Sequence, residues 1–228
     1  MTHTFPNAAI VIAAFNEEKA IGDVVRDALR LFENVVVIDD GSADATVSVA
    51  LRAGATVLVH PINLGQGAAL QTGIDYALGR GFEQVVTFDA DGQHAPEDAA
   101  RMLTVLETGD AQVVLGSRFI GSVENIPAAR RMLLKAATVF TRITTGLRVT
   151  DAHNGLRALR REALATIRIR QNRMAHASEI LDEIARHKLS YVEMPVTIRY
   201  TEYSLAKGQS GFGAFNILFD LLVARIRK

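Results

Sequence analysis

Asp89 and Asp91 stand one residue apart in Phe88-Asp89-Ala90-Asp91-Gly92-Gln93-His94, just where an apolar run, Gln84 to Phe88, gives out. A strand turns successive side chains to opposite faces, but at its frayed end the chain can bend so that both carboxylates reach one hard cation. Mg²⁺ or Mn²⁺ held this way keeps open positions for the oxygens of a diphosphate. Asp-Gly is also ordinary turn chemistry with solvated carboxylates, so this segment alone leaves both readings open. A second acidic run end, Val35-Val36-Val37-Ile38-Asp39-Asp40-Gly41-Ser42, and a glycine-bearing loop, Asn63-Leu64-Gly65-Gln66-Gly67-Ala68-Ala69, favour binding. Acidic strand ends beside a glycine turn that opens a helix are how an open α/β sheet binds a nucleotide, outside the carboxyl ends of its strands.

The elements that must carry these residues alternate. Strands are predicted at Ala8 to Phe15, Val35 to Asp39, Thr56 to His60, Gln84 to Asp89 and Gln112 to Gly116; helices at Glu17 to Phe32, Ala43 to Ala53, Gly67 to Leu78 and Pro96 to Leu106. The strands are apolar on both faces, as buried parallel strands are, while Ile21, Val24, Val25, Ala28, Leu29 and Phe32 share one helix side. Strand-helix alternation with short links predicts a doubly wound, mostly parallel α/β sheet with right-handed crossovers. From Ser117 on the pattern changes. A basic helical stretch, Ala128 to Gly146, precedes a polar turn at Asp151 to Gly155, a strand at Leu156 to Leu159, a helix near Ala175 to His187 and a strand at Tyr191 to Tyr200. Without a low-complexity linker, one domain over 1–228 is expected, with 1–117 binding a donor, 118–210 supplying acceptor contacts and 211–228 forming an amphipathic helix.

Composition narrows the classes. The 228 residues include 25 basic and 25 acidic side chains, so no global charge points to nucleic acid. The absence of cysteine removes disulfides, thiolate metal sites and cysteine nucleophiles. No secretory signal opens the chain and no segment reaches the roughly 18 apolar residues of a spanning helix, so a soluble or peripheral protein is expected. No G-x-G-x-x-G follows the first strand, which argues against a dinucleotide-binding oxidoreductase.

Taken in order, Phe15-Asn16-Glu17, Asp39-Asp40-Gly41-Ser42, Asn63 to Gly73, Asp89 to His94, Gly116-Ser117-Arg118, Pro127 to Arg131, Asp151 to Ala158 and Val192 to Val196 resemble a family-two glycosyltransferase. The likeness is to the dolichyl-phosphate mannose synthase and polyprenyl-phosphate glycosyltransferase branch, and it covers nearly the whole chain. It implies a GT-A fold and inverting hexose transfer from a UDP- or GDP-hexose to a polyprenyl phosphate. It also implies a Mg²⁺ or Mn²⁺ cofactor and a place on the cytoplasmic membrane face, through peripheral contact or an integral-membrane partner.

By that resemblance Asp89 and Asp91, with Gln93 as a third ligand, hold the metal. Ala14, Phe15, Asn16, Glu17, Asp39, Asp40, Asn63, Gly67, Asp89 and Ala90 line the nucleotide sugar. Asp39 or Asp40 would accept from base N–H or ribose hydroxyl. Arg118 and Arg131 resemble the positions that hold the acceptor phosphate, a geometry guanidinium groups suit. Relatives often carry a serine after the second arginine, whereas this chain reads Met132-Leu133-Leu134-Lys135. Asp151 is the candidate for a base or for a group fixing the acceptor. A phosphate acceptor is already ionised and a hydroxyl acceptor is not, so the need for a base depends on the acceptor. Transfer to a sugar or lipid hydroxyl, and a non-catalytic nucleotide-sugar-binding scaffold, are the alternatives; retention of Asp89, Asp91 and Arg118 counts against the scaffold.

Overall fold

The computed structural model describes residues 5–120, 128–172 and 175–199, with side chains except at 128–131 and 133. The chain alternates β1 (Ala8–Ala14), α1 (Ile21–Leu29), β2 (Asn34–Asp39), α2 (Thr46–Ala53), β3 (Thr56–Val59), α3 (Gln66–Arg80), β4 (Gln84–Asp89), α4 (Pro96–Thr108) and β5 (Val113–Ser117). Then follow α5 (Ala128–Thr145), β6 (Arg157–Arg160), α6 (Arg161–Thr166), α7 (His176–Arg186) and β7 (Tyr191–Pro195). The seven strands form one sheet in the order β3-β2-β1-β4-β6-β5-β7. All neighbours run parallel except β6, which is antiparallel to both β4 and β5.

Strand alternation explains the two cores. Ile10, Ile12, Val35, Val37, Val86 and Phe88 face α1 and α4, where Ile21, Val25, Ala28, Met102 and Leu103 are buried. Val11, Val36, Ile38, Val85 and Val113 face the other way, against Leu70 and Ile74 of α3 and Ile180 and Ile184 of α7. Burying one such aliphatic side chain contributes about 1.5–3 kcal/mol, so a sheet covered on both faces holds its strand ends in fixed register.

Two expectations are corrected. The helix predicted from Glu17 starts at Ile21, because Asn16 takes a left-handed φ of 53° and residues 17–20 form turns. The last strand stops at Pro195, opposite Ser117, where its partner β5 ends. The short helix α6 has no counterpart among the elements predicted from sequence. Among the described residues, no helix is long and apolar enough to cross a membrane.

Candidate active site

Strand order positions the site. β2 and β3 lie on one side of β1 and β4 on the other, so the chain reverses its winding direction at β1 and a crevice opens at the carboxyl ends. Ala14, Asp39, Asp89 and Ser117 are the last residues of β1, β2, β4 and β5. Because β6 runs the other way, its first residue, Arg157, and the turn before it reach the same edge; Arg157 pairs in register with Thr87 and Leu115.

Asp89 is held from two sides. Its Oδ1 accepts from Gln66 Nε2 at 3.2 Å, and its Oδ2 lies 2.9 Å from His94 Nε2. Gly155 sits against it so closely that a Cβ there would fall 2.5 Å from the carboxylate. Burial pushes the Asp89 carboxyl up, but the His94 hydrogen bond and the charges of His94, His176 and Arg157 outweigh it and hold the group below its ordinary value. Asp91 goes the other way. Burial, and then the charge of Asp89, push its carboxyl up to about 6, against the backbone N–H of Gln93 that donates to its Oδ1 at 3.1 Å. Two acids crowded together with too little positive charge beside Asp91, offering hard oxygen donors, fit a Mg²⁺ or Mn²⁺ ion. Among the described residues no three carboxylate or imidazole groups are arranged to hold a metal unaided, so the remaining positions would fall to donor oxygens or water. Gln93 bonds through its backbone, its N–H donating to Asp91 and its carbonyl accepting from the Arg199 N–H.

The second acidic pair divides its labour. Asp39 is fully buried; its Oδ2 accepts the Ser42 N–H at 3.0 Å, and its Oδ1 has no hydrogen-bond partner among the described residues. Asp40 is turned to the protein's own loop, accepting the N–H groups of Leu64 and Gly65 at 2.9 and 2.7 Å. Asn63 is exposed at the loop tip. Gly67 is buried with its N–H already donated to the Asn172 carbonyl at 2.8 Å, so its small size serves packing at that point. Asn16 ties two loops together, its N–H donating to Ser42 Oγ and its Oδ1 accepting from the Ala43 N–H. Glu17 is buried near enough to Asp91 to push that carboxyl up, Ala14 and Ala90 are buried, and Phe15 is 42% exposed.

On the far side, Arg118 and Asp151 form a buried pair. Asp151 Oδ2 accepts Arg118 Nε at 2.6 Å and the Arg118 N–H at 3.2 Å, its Oδ1 accepts the His153 N–H at 3.2 Å, and Arg118 Nη2 donates to the His153 carbonyl. Both oxygens of Asp151 are thus engaged. Glu193 on β7 clamps the turn from below, accepting the N–H groups of Thr150 and Asp151. Arg157 is buried with its guanidinium held down to about 10 by burial, against the pull of Asp89 and Asp151. Arg131 lies in α5, but its side chain is outside what the structure describes; Lys135 is exposed. The amphipathic stretch 211–228 lies outside the described residues.

The profile of Glycosyl transferase family 2 matches residues 9–168. The chain belongs to that family. This family-2 glycosyltransferase is 32% identical to a UDP-N-acetylglucosamine–dolichyl-phosphate N-acetylglucosaminyltransferase of Methanococcus voltae, over 96% of each chain. It is also 32% identical to the polyprenol monophosphomannose synthase of Mycolicibacterium smegmatis, over 96% of this chain and 86% of that one. Among solved structures it resembles glucosyl-3-phosphoglycerate synthase from Mycobacterium tuberculosis in complex with Mg²⁺ and uridine diphosphate. That match has a TM-score of 0.74 and 21% identity, covering 96% of this chain and 79% of the other, and the shared architecture is the GT-A fold.

Sequence reasoning passed over several residues that gather at this edge of the sheet. In the sequence Gln66 is one residue of a glycine loop and Glu193 one residue of the 192–196 motif, and neither type nor spacing marks its contact with Asp89 or with Thr150. Lys19 and Arg199 line a cavity of about 450 Å³ together with Phe88, Asp91 and His94. Lys19 precedes α1 and Arg199 follows β7, 180 positions along the chain, so only the folded chain brings them together.

Proposed function

We propose that this glycosyltransferase moves a hexose from a nucleoside-diphosphate sugar to the phosphate oxygen of a polyprenyl phosphate, with inversion at the anomeric carbon. The observation that carries this reading is the engagement of Asp151. A hydroxyl acceptor needs a general base, and the carboxylate the sequence offers for that task is buried and ion-paired with Arg118 at 2.6 Å, which suits it to aiming the guanidinium rather than to taking a proton. A phosphate monoester needs no base, because it arrives ionised. The names of the two relatives, one acting on dolichyl phosphate and one making a polyprenol monophosphomannose, support the same acceptor class.

In this reading Arg118, aimed by Asp151, and Arg131 orient the acceptor phosphate. One phosphate oxygen attacks the anomeric carbon from the face opposite the leaving group. The bond from that carbon to the donor diphosphate breaks, and its electron pair leaves with the nucleoside diphosphate. Asp89 and Asp91 hold a divalent cation, Mg²⁺ or Mn²⁺, which when bound stabilises the charge on the departing diphosphate. Lys19 and Arg199, lining the cavity beside Asp91, add positive charge for a polyanionic donor. Asp39 Oδ1, buried and unpartnered, suits a hydrogen bond from the donor's base or ribose. Peripheral attachment on the cytoplasmic membrane face fits a lipid-borne acceptor.

The test is turnover of a panel of UDP- and GDP-hexoses with Mg²⁺ or Mn²⁺ and a short polyprenyl phosphate. Acceptor-dependent release of nucleoside diphosphate, with a glycosylated lipid of inverted anomeric configuration, is the expected result. Donor binding without lipid product contradicts it.

A further inference from the structure

His60 follows β3 and is 9% exposed. Its Nδ1 lies 2.8 Å from Asp40 Oδ1, its Nε2 lies 3.0 Å from Thr72 Oγ1 on α3, and its backbone N–H donates to the Asp39 carbonyl at 2.8 Å. Asp40 also takes the N–H groups of Leu64 and Gly65, so three donors converge on one buried carboxylate. The loop has little freedom to run elsewhere. It passes Gly41, at φ +73°, so closely that a Cβ there would meet the Ile62 carbonyl carbon at 2.6 Å. The residue after Gly65 is Gln66, and its amide reaches Asp89 Oδ1.

We infer that His60 and Asp40 form a latch that fixes the 63–67 loop and, through Gln66, sets the orientation of the Asp89 carboxylate. His60, Asp40 and Gln66 are positioning residues, each acting through the next. One donor on each Asp89 oxygen, Gln66 on Oδ1 and His94 on Oδ2, leaves a further lone pair on each for a cation and stops the carboxylate from rotating. Removing the imidazole leaves Asp40 buried and one donor short, and a buried acceptor pulls in whatever donor can move. Without the ring the Asp40 carboxylate is free to turn, and the Leu64 and Gly65 N–H groups bonded to it carry Gln66 with them. This inference rests on the reading of Asp89 as a cation ligand.

The test is Mn²⁺ titrated alone into the full chain, with the bound fraction read by electron paramagnetic resonance, so that turnover plays no part. Gln66→Ala and His60→Leu are each expected to weaken Mn²⁺ binding by about 10-fold, the lower end for partners of a ligating group. The double variant is expected to bind no more weakly than Gln66→Ala alone, because His60 acts through Gln66. His60→Gln, whose amide can donate to Asp40, should recover most of the affinity. Wild-type affinity in His60→Leu, or losses that multiply in the double variant, would overturn the latch. If His60→Leu fails to fold by circular dichroism, Thr72→Val takes its place, and undiminished affinity there would overturn it equally. Wild-type chain that binds no Mn²⁺ overturns the cation reading and the latch together, whereas Mn²⁺ binding indifferent to these substitutions overturns the latch alone.

Discussion

Asp89 and Asp91, two positions apart, have their carboxyls driven in opposite directions, one held low by His94 and nearby cations and the other raised to about 6. Such a split fits the proposed uptake of a cation between them. Asp91→Ala should therefore lower metal-dependent transfer by at least about 100-fold, the scale for losing a charge-stabilising group, while the circular dichroism and melting temperature stay near wild type. Full turnover in that variant would remove Asp91 from the cation site. Arg131→Ala should raise the acceptor concentration needed for half-maximal rate much more than the donor concentration; the reverse pattern would move Arg131 to the donor. His153 is a separate case. Burial lowers its pKa to about 4 from 6.5, with Arg157 and Arg118 helping against Asp151, and its Nδ1 has no hydrogen-bond partner among the described residues. A folded-state value below the unfolded one means that stability is complete above about pH 6.5 and is lost as pH falls toward 4. At pH 5 the loss is roughly 1–2 kcal/mol, discounted for partial exposure. His153→Asn should flatten the fall in melting temperature between pH 7 and 5, and an unchanged slope would show that other groups control it.

At the scale of elements, close approach explains what side-chain chemistry does not. A Cβ on Gly67 would lie 2.0 Å from the Gln171 carbonyl oxygen, where α3 begins against the segment before α7. Gly67→Ala should cost about 1–3 kcal/mol, the range for overpacking a fitted contact, seen as a lower urea midpoint with an unchanged slope. An unchanged midpoint would mean that the segment yields. The parallel half was legible because β1, β2 and β4 are apolar runs and the helices between them keep a 3.6 period. The antiparallel sense of β6 was not, since hydropathy carries no direction, and that sense is what brings the 151–156 turn to the catalytic edge. The acidic strand ends were legible as a pair, but not their division. Only the folded loop shows Asp40 spent on Leu64 and Gly65 while Asp39 keeps an unpartnered oxygen. Asp151 was recognisable as important and not as Arg118's partner, because 33 residues separate them.

At the scale of the molecule, α5 presents an unusual outer face. Met132, Val139 and Ile143 are 72%, 52% and 79% exposed and share one side of the helix, while Ala137, Thr138 and Thr141 are buried on the other. The helix sequence contains no acidic residue and four basic ones, a pattern suited to anionic headgroups. Val139→Asp combined with Ile143→Asp should reduce co-sedimentation with phosphatidylglycerol vesicles several-fold; unchanged binding would place the membrane contact elsewhere. The central claim, that the acceptor nucleophile is a phosphate oxygen aligned by arginine, is tested most directly by one comparison. The purified chain is given its best hexose donor, Mg²⁺ or Mn²⁺, and either a polyprenyl phosphate or the matching polyprenol at equal concentration. Glycolipid formed from the phosphate and not from the alcohol is the predicted result, and equal or greater transfer to the alcohol would contradict the account.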